Sequence, residues 1–393
     1  MNNFNFCRPT DFYFGRGVEK DTGKICIKHG ATKVLIHFGG GSALKSGLID
    51  CVEKSLDEVG IEHIRLGGVL PNPRAELVYE GIELCRKEKV DTVLAVGGGS
   101  VLDLSKLISA AVAYDGDPWD LVEDPTKIPA DKSQILPLAD VLTLSATGSE
   151  YDNSGVISNP DTDEKMPIFG PLNPFASILD PTYTFSVNAW HTAAGAADIM
   201  SHTFESYLVA EGCTLTDGLC EAMLRTVIKN APIAVKEPDN YDARAELMQA
   251  SSFGCCGILA DGMKPSPWVC HGIEHEISAY TDITHGAGLA VITPHWMRYS
   301  LNENTASRFA QYGRNVWGLS GSDDMAVAKE AIEKTAEFFR SLGLPSRLSE
   351  MGVGSEHFED MADHVFKIWF GDFKDAIRPL NKQDVLNILN ASL

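Results

Sequence analysis

The stretch DTVLAVGGGSVLDLSK, residues 91–106, has the pattern of a buried strand, a glycine loop and the first turns of a helix. A second stretch, KVLIHFGGGSALKSG at residues 33–47, repeats this order around the same tetrapeptide GGGS. Strands that alternate with helices build parallel sheets covered by helices. The two stretches therefore predict an α/β domain in the first half of the chain.

The rest of the first half continues this alternation. Further apolar runs predict strands at 61–69, 141–147 and 175–180, and amphipathic runs predict helices at 42–60, 71–90 and 100–114. The segment SNPDTDEKMPIFG, residues 158–170, has no strand pattern and is predicted to be an irregular loop. The first half is therefore expected to form one parallel sheet with helices on it.

After about Val187 the apolar residues recur at helical spacing, and strand patterns nearly vanish. Helices are predicted at 191–210, 219–236, 241–260, 267–280 and 324–342. The predicted boundary falls at residue 186. Residues 1–186 are expected to form the α/β domain, and residues 187–393 an all-helical domain.

Composition excludes several classes of partner. The 393-residue chain carries a formal net charge of −21, so nucleic acids and anionic membranes are not expected to bind it. No apolar run approaches the roughly 20 residues that a membrane span needs. Nine cysteines without a CxxC pair, and an N-terminus unlike a signal peptide, indicate reduced thiols and a cytoplasmic protein.

The glycine loops are candidate phosphate sites, because glycine lets backbone amides approach an oxyanion at a helix start. Neither loop matches G-x-G-x-x-G, and a tight strand–helix turn needs no ligand. The second loop has more polar neighbours, since Asp103 follows it and Thr143 and Thr147 end a later strand. Carboxyl ends of parallel strands share one edge, so a dinucleotide is the expected occupant.

A metal-ligand pattern lies in the helical half. Asp198 and His202 are four residues apart, as are His271 and His275, and His285 follows in a turn-rich stretch. Residues four apart share one helix face, so two such pairs can converge on one cation. Histidines with one carboxylate suit Fe(II), Zn(II), Ni(II) or Co(II). Spacing leaves open which histidines are ligands. The remaining candidates are interpreted as surface or core residues: His37, His191 and His295.

Together these motifs resemble the iron-containing (group III) alcohol dehydrogenase family, and within it the NADPH-dependent butanol dehydrogenase and aldehyde reductase branch. The motifs that carry the likeness are PNP at 71–73, GGGSVLDLSK at 97–106, TLSATGSE at 143–150, LDP at 179–181, ADIMSH at 197–202 and HGIEHEIS…THG at 271–286. The resemblance implies a dehydroquinate-synthase-like fold, with a Rossmann-like dinucleotide-binding domain and an all-α metal-binding domain.

The resemblance also implies roles for individual residues. Four residues would hold the divalent metal, Fe(II) or Zn(II): Asp198, His202, His271 and His285. His275 would lie beside the substrate as a catalytic residue that passes the proton. The implied cofactor contacts are Gly39, Gly40, Gly41, Ser42, Asn72, Gly97, Gly98, Gly99, Ser100, Asp103, Thr143, Thr147, Lys165, Tyr183 and Ser186.

The first glycine loop then bears on cofactor choice. In this family the end of the first strand faces the adenosine ribose, and members that prefer NAD often place an aspartate there. Gly39, Gly40 and Gly41 carry no carboxylate, and Ser42 adds a hydroxyl and an amide. The loop therefore predicts NADP(H) over NAD(H).

The predicted function is the reversible reduction of aldehydes to primary alcohols such as butanol or short diols. One alternative is a dehydroquinate-synthase-like lyase that uses NAD and Zn(II), although few cations lie near the metal motifs. A second alternative is a non-catalytic binding protein, which would leave His275 unexplained. The family implies a homodimer, with NFNFCRPTDFYFG at residues 3–15 as its edge strand.

Overall fold

The computed structural model describes residues 1–368 and 373–393, and their contacts divide the chain into two compact units. One unit is Cys7–Ser186, and the other is Met1–Phe6 with Val187–Leu393. The predicted boundary includes the first six residues in the α/β domain, whereas the structure places them with the helices. The reason is local pairing: the Asn2 backbone amide donates to the Gly262 carbonyl at 2.9 Å, and its side chain donates to the Met263 carbonyl at 2.9 Å.

The unit Cys7–Ser186 is built on a parallel sheet, which confirms the predicted α/β fold. The strands are β1 Asp11–Phe14, β2 Lys33–Gly39, β3 Glu62–Val69, β4 Thr92–Gly97, β5 Leu138–Leu142, β6 Ser154–Asn159, β7 Glu164–Phe169 and β8 Ala176–Leu179. The order across the parallel sheet is β1, β8, β5, β4, β2, β3, and β6 and β7 form a separate antiparallel pair.

The order of the strands creates a reversal in the sheet. β2 pairs with β3 on one side and with β4 on the other, so the sheet grows in both directions from β2. The central strands are fully buried because helices cover both faces; Leu35 and Leu94, for example, are 0% exposed. Ligands of open parallel sheets bind at the carboxyl ends of strands beside such a reversal. Here that position is occupied by the two GGGS loops.

Two predictions in this unit are wrong. Residues 158–170 are not an irregular loop, because β6 and β7 pair across the turn that follows Asn159, and Ile157 and Ile168 are fully buried. Pro167 and the charged turn hide the strand pattern in the sequence. The strand predicted at 141–147 is β5, which ends at Leu142, so Thr143 and Thr147 lie in the loop beyond it.

The helices of this unit follow the predicted alternation, with one interruption. They are α1 Thr22–Lys28, α2 Ser42–Lys45, α3 Leu48–Asp57, α4 Glu76–Glu88, α5 Gly99–Ala111 and α6 Asp120–Glu123. The single helix predicted at 42–60 is divided into α2 and α3 because Gly47 adopts a φ of 75°, which ends one helix and begins the next.

The second unit is helical in its described part, as predicted. Its helices are α7 Ala189–Tyr207, α8 Thr214–Lys236, α9 Tyr241–Cys255, α10 Val269–Thr281, α11 His285–Ser300, α12 Ala306–Trp317, α13 Asp324–Ser341, α14 Phe358–Ile368 and α15 Lys382–Ser392. His285 is the first residue of α11 rather than part of a turn-rich stretch. Within residues 1–368 and 373–393, no helix combines the length and apolar character that crossing a membrane requires.

Candidate metal centre and cofactor loops

The first half of the candidate metal centre is carried by α7. Asp198 and His202 lie one turn apart on this helix, and both are buried at 2% and 5% exposure. The Asn188 side chain caps the helix by accepting from the His191 amide at 2.9 Å. Residues 192–207 of α7 are all buried, so the two polar side chains lie in the interior of the helical unit.

The other half comes from α10 and the start of α11. His271 lies in the first turn of α10, and His285 begins α11. Gly286 lets α11 approach α7 closely, because a Cβ on it would overlap the Ala194 carbonyl oxygen. This backbone contact brings His285 to the face of α7 that carries Asp198.

The four side chains meet at one oxygen. Asp198 Oδ1 lies 3.6 Å from His202 Nε2, 3.7 Å from His271 Nε2 and 3.6 Å from His285 Nε2. Atoms bound about 2.0–2.2 Å from one tetrahedral metal lie roughly 3.4 Å apart. Among the described residues, Asp198 Oδ1 and His271 Nε2 are buried without a hydrogen-bond partner. The donor set and its spacing fit a divalent transition metal.

The electrostatics of the cluster also suit a cation. Burial raises the pKa of Asp198, but the imidazoles of His202, His271 and His285 outweigh it and hold that pKa well below its usual range. Burial lowers the pKa of His271, whereas the neighbouring carboxylates of Asp198 and Glu205 raise it more strongly, to about 9. Positive charge is therefore stabilised at this point, and a metal would take the place of protons.

Two carboxylates that the sequence reasoning missed contact two of the candidate ligands. Glu205 Oε1 lies 3.3 Å from His271 Nδ1 and also accepts from the backbone amides of Cys270 and His271 at 2.7 and 3.1 Å. Glu274 Oε2 contacts His285 Nδ1. Such partners fix which imidazole nitrogen faces the metal. Helical spacing could have indicated both, since Glu205 is three residues after His202 and Glu274 three after His271.

Two aromatic rings border the cluster. The Trp268 ring packs edge-on against the His271 ring, with centroids 5.1 Å apart. The backbone of Trp268 has a φ of 54°, which turns the chain just before α10 begins. The His275 ring lies 5.2 Å from His285 and 6.2 Å from His271. Glu274, His275 and His285 form a second group of converging donor atoms. Geometry therefore places His275 next to the four-donor cluster, and its separate role stays a prediction.

The predicted cofactor residues of the other unit gather at the carboxyl edge of its sheet. Gly39–Ser42 begins at the last residue of β2, Gly97–Ser100 begins at the last residue of β4, and Thr143 follows β5 directly. These three strands are neighbours in the sheet. The Thr143 amide donates to the Gly97 carbonyl at 2.9 Å. A Cβ on Gly99 would overlap the Thr147 side chain, so the loops after β4 and β5 are in contact.

Asp103 and its neighbours have a bracing role in this unit. Asp103 accepts from the Ser149 hydroxyl at 2.6 Å and from the Val156 amide at 3.1 Å, which ties α5 to β6. Burial raises the pKa of Asp103 to about 6. Lys106, fully buried, donates to Asp152 Oδ1 at 2.6 Å. These contacts hold the helix that begins at the second glycine loop.

Asn72 and Lys165 are far apart in sequence but adjacent in the structure. Lys165 Nζ donates to Asn72 Oδ1 at 3.0 Å, and Asn72 has a φ of 49°. The Ser158 amide donates to the Pro73 carbonyl at 2.8 Å. The β6–β7 pair, which the sequence did not predict, is therefore what brings Lys165 to the PNP turn.

The first glycine loop is open. A Cβ atom on Gly39 would lie 3.5 Å from Val69 O and 3.8 Å from Val101 Cγ2, which are ordinary van der Waals distances. A Cβ atom on Gly40 would have no atom within 4 Å. Gly41 has a φ of 141°, which favours glycine. The loop therefore has room for side chains at Gly39 and Gly40, although its own residues Gly39–Ser42 include no carboxylate.

Tyr183 and Ser186 follow β8, at the same edge of the sheet but on another strand. Burial raises the pKa of the Tyr183 phenol, and Glu19 raises it further. The Ser186 hydroxyl donates to the Tyr183 carbonyl at 3.4 Å. The link between Tyr183 and Glu19 was not predicted, and the cofactor role of both residues stays a prediction.

Comparisons with known proteins agree on one family. A model described as iron-containing alcohol dehydrogenase matches residues 9–181, and one described as the C-terminal part of the Fe-containing alcohol dehydrogenase family matches residues 192–393. The chain is 49% identical to NADH-dependent butanol dehydrogenase A of Clostridium acetobutylicum, with 100% of both chains covered. It is 37% identical to the NADPH-dependent aldehyde reductase YqhD of Escherichia coli, with 90% of both covered.

Solved structures give the same result. The crystal structure of NADH-dependent butanol dehydrogenase A from Thermotoga maritima superposes with a TM-score of 0.95 at 36% identity. The match covers 100% of this chain and 99% of that chain.

Proposed function

The chain belongs to the iron-containing alcohol dehydrogenase family and is an NAD(P)-dependent alcohol oxidoreductase, and we propose that it interconverts short primary alcohols and their aldehydes. Butanol-like alcohols or short diols are the proposed substrates, because the relatives include butanol dehydrogenases and 1,3-propanediol dehydrogenases. The observation that carries the proposal is the convergence of Asp198 Oδ1 with three histidine Nε2 atoms in a buried helical cluster.

Asp198, His202, His271 and His285 would hold one divalent metal, with Fe(II) or Zn(II) as the proposed ion. Such an ion supplies Lewis acidity that polarises a carbonyl oxygen. Asp198 contributes the one negative charge among the four donors and thereby sets how much positive charge remains for the substrate. Glu205 and Glu274 hold His271 and His285 in the orientation that points each Nε2 at Asp198.

His275 is the proposed catalytic acid and base. It is buried at 3% exposure, and its ring borders the ligand His285. An imidazole in this position can give a proton to the substrate oxygen during aldehyde reduction and take it back during alcohol oxidation. Trp268 shields the rings of His202 and His271 from water.

The nicotinamide cofactor supplies the hydride, and the loops after β2, β4 and β5 would hold it. Gly97–Ser100, with the start of α5, suits the pyrophosphate, and Thr143, Thr147 and Asp103 border the same loop. Asn72, Lys165, Tyr183 and Ser186 complete the proposed contacts.

We propose NADP(H) as the preferred cofactor, because the open loop Gly39–Ser42 has no carboxylate to repel a 2′-phosphate. The names of the relatives include both NADH-dependent and NADPH-dependent enzymes. The proposal therefore rests on this loop.

The lyase alternative is disfavoured, because both matching family models describe alcohol dehydrogenases and the relatives are named as a butanol dehydrogenase and an aldehyde reductase. We also propose that the enzyme is a cytoplasmic homodimer. The cysteine pattern supports the compartment, and the family supports the dimer.

The test is the absorbance of NADPH at about 340 nm after butyraldehyde is added to the metal-loaded protein. A decay that depends on both aldehyde and protein supports the proposal, and the same preparation of His271→Ala provides the control without metal. No decay with NADPH or NADH across a series of short aldehydes would contradict an aldehyde reductase.

A further inference from the structure

A cavity of about 260 Å³ lies in the helical unit, lined by α11, α13 and residues 345–347. Its apolar lining consists of Ala290, Val291, Pro294, Ala336 and Pro345. Its polar lining consists of His295, Arg298, Arg340, Ser346 and Arg347. The cavity is somewhat smaller than the roughly 300–1,000 Å³ of sites for drug-sized ligands, so it fits a small molecule.

The cavity concentrates positive charge in a chain whose formal net charge is −21. Arg298 forms a two-bond ion pair with Glu333, at 2.7 and 2.9 Å. Arg340 and Arg347 are exposed to solvent, and neither forms a side-chain hydrogen bond or an ion pair within the described residues, although Arg340 is near enough to Glu333 to help lower the pKa of that carboxyl. Two carboxylates contact residues of the lining, Glu333 on Arg298 and Glu350, which accepts from the Ser346 amide at 3.2 Å. The lining therefore carries three arginines, and the guanidinium groups of Arg340 and Arg347 have donors available for a ligand.

His295 adds an imidazole to this wall. Burial lowers the pKa of His295, and the positive charge of Arg298 lowers it further. Its imidazole lies against the backbone of Ser346, which places it beside Arg347. An anion in the cavity would oppose the effect of the arginines and make this ring easier to protonate.

The cavity is separate from the metal cluster. His285 and His295 are ten residues apart on α11, which corresponds to about 15 Å along the helix axis. The proposed alcohol dehydrogenase activity uses none of the residues that line the cavity. Metal or substrate binding in that activity therefore does not explain the positive charge of the cavity lining.

We propose that this cavity binds a small, multiply charged oxyanion between Arg340, Arg347 and His295. Guanidinium groups bind carboxylate and phosphate-type oxygens through paired N–H donors. The small volume favours a small molecule over an acidic peptide, which would need an extended groove. The ligand chemistry is a tetrahedral dianion or a dicarboxylate.

The test is an NMR titration of the His295 side chain in the full-length, metal-loaded protein saturated with NADPH, which keeps the cofactor loops occupied. Sulfate and succinate are the two probes, each added at constant ionic strength against sodium chloride. We expect a saturable shift of the His295 signals with at least one probe. A response to sulfate assigns a tetrahedral oxyanion, and a response to succinate assigns a dicarboxylate.

Matched variants locate the site. Arg340→Gln and Arg347→Gln should each weaken binding about tenfold, because each removes a charged hydrogen-bond donor. Lys329→Gln removes one positive charge from an exposed position of α13 that does not line the cavity, and it should leave binding unchanged. Aldehyde reduction should be unaffected in all three variants. No saturable shift with either probe, or equal weakening by Lys329→Gln, would overturn the proposal.

Discussion

At the scale of the residue, Asp198 is the carboxylate on which the candidate metal cluster converges. It is 2% exposed, and Oδ1 has no hydrogen-bond partner within the described residues. Its lowered pKa shows that the three imidazoles stabilise the carboxylate, which they do by carrying positive charge, and a divalent cation would supply that charge directly. This arrangement supports the proposed metal-binding role.

The proposed ligand His271 and the proposed catalyst His275 can be distinguished by mutation. His271→Ala removes a donor to the metal, so we expect loss of bound metal and of turnover. His275→Ala should retain the metal and lower the rate of aldehyde reduction about 10²–10⁴-fold, the usual contribution of a positioned acid or base. Metal content by elemental analysis and turnover by NADPH absorbance are measured on the same samples. Equal metal loss in both variants would show that His275 is a ligand as well.

Gly39 tests the proposed basis of cofactor choice. Gly39→Asp places a carboxylate at the end of β2, where a Cβ meets only ordinary contacts, so the loop should keep its conformation. We expect the KM for NADPH to rise roughly tenfold or more, with a smaller change for NADH, because the carboxylate repels a 2′-phosphate. Gly39→Asn has the same shape without the charge and is the control. The same loss for both cofactors in Gly39→Asp would contradict a 2′-phosphate at this loop.

At the scale of the element, the approach of α11 to α7 assembles the metal cluster. His285 begins α11, and the next residue, Gly286, is the point of backbone contact with Ala194 on α7. The helix pair can approach this closely because glycine and alanine occupy the contact. Any added volume here moves His285 relative to Asp198.

Gly286→Ala should therefore impair both folding and metal binding. A Cβ at Gly286 overlaps backbone rather than a flexible side chain, so we expect destabilisation of about 1–3 kcal/mol and weaker metal retention. Thermal unfolding and metal content are the measurements. Gly218→Ala is the control, because a Cβ there meets nothing within 4 Å and alanine favours the helix. Unchanged metal retention in Gly286→Ala would show that this contact does not position His285.

At the scale of the whole molecule, the free edge of the sheet is the place for the proposed homodimer. β1 is one of the two edge strands of the sheet, with β3 at the other edge, and it pairs with β8. The Asp11 amide donates to the Phe175 carbonyl and the Gly15 amide to the Leu179 carbonyl. Alternate amides of a strand point in opposite directions, so those of Phe12 and Phe14 face away from β8. This edge can pair with a second copy.

Sedimentation of the full-length protein should give twice the 42.6 kDa mass of the chain. Phe14→Pro removes an outward amide without removing a bond to β8, so we expect monomers to appear. Phe14→Ala keeps the amide and should remain dimeric, which separates backbone pairing from side-chain packing. A Phe14→Pro protein that stays fully dimeric would show that β1 does not form the dimer contact.

The sequence by itself predicts a large part of this protein. The alternation of apolar strands and helices predicts the parallel sheet, and helical spacing predicts the second unit, because both patterns follow from burying one face of a regular element. The ligand candidates Asp198, His202, His271 and His285 are also visible in the sequence, since residues four apart share a helix face.

Only the tertiary structure decided which side chains meet. The first six residues pair with the helical unit, β6 and β7 bring Lys165 to Asn72, and Gly286 brings His285 to Asp198. Glu205, Glu274 and the arginine-lined cavity also depend on contacts between elements distant in sequence. Periodicity determines which face of an element is buried. Packing between elements determines the neighbours of each side chain, and no local pattern in the sequence contains that information.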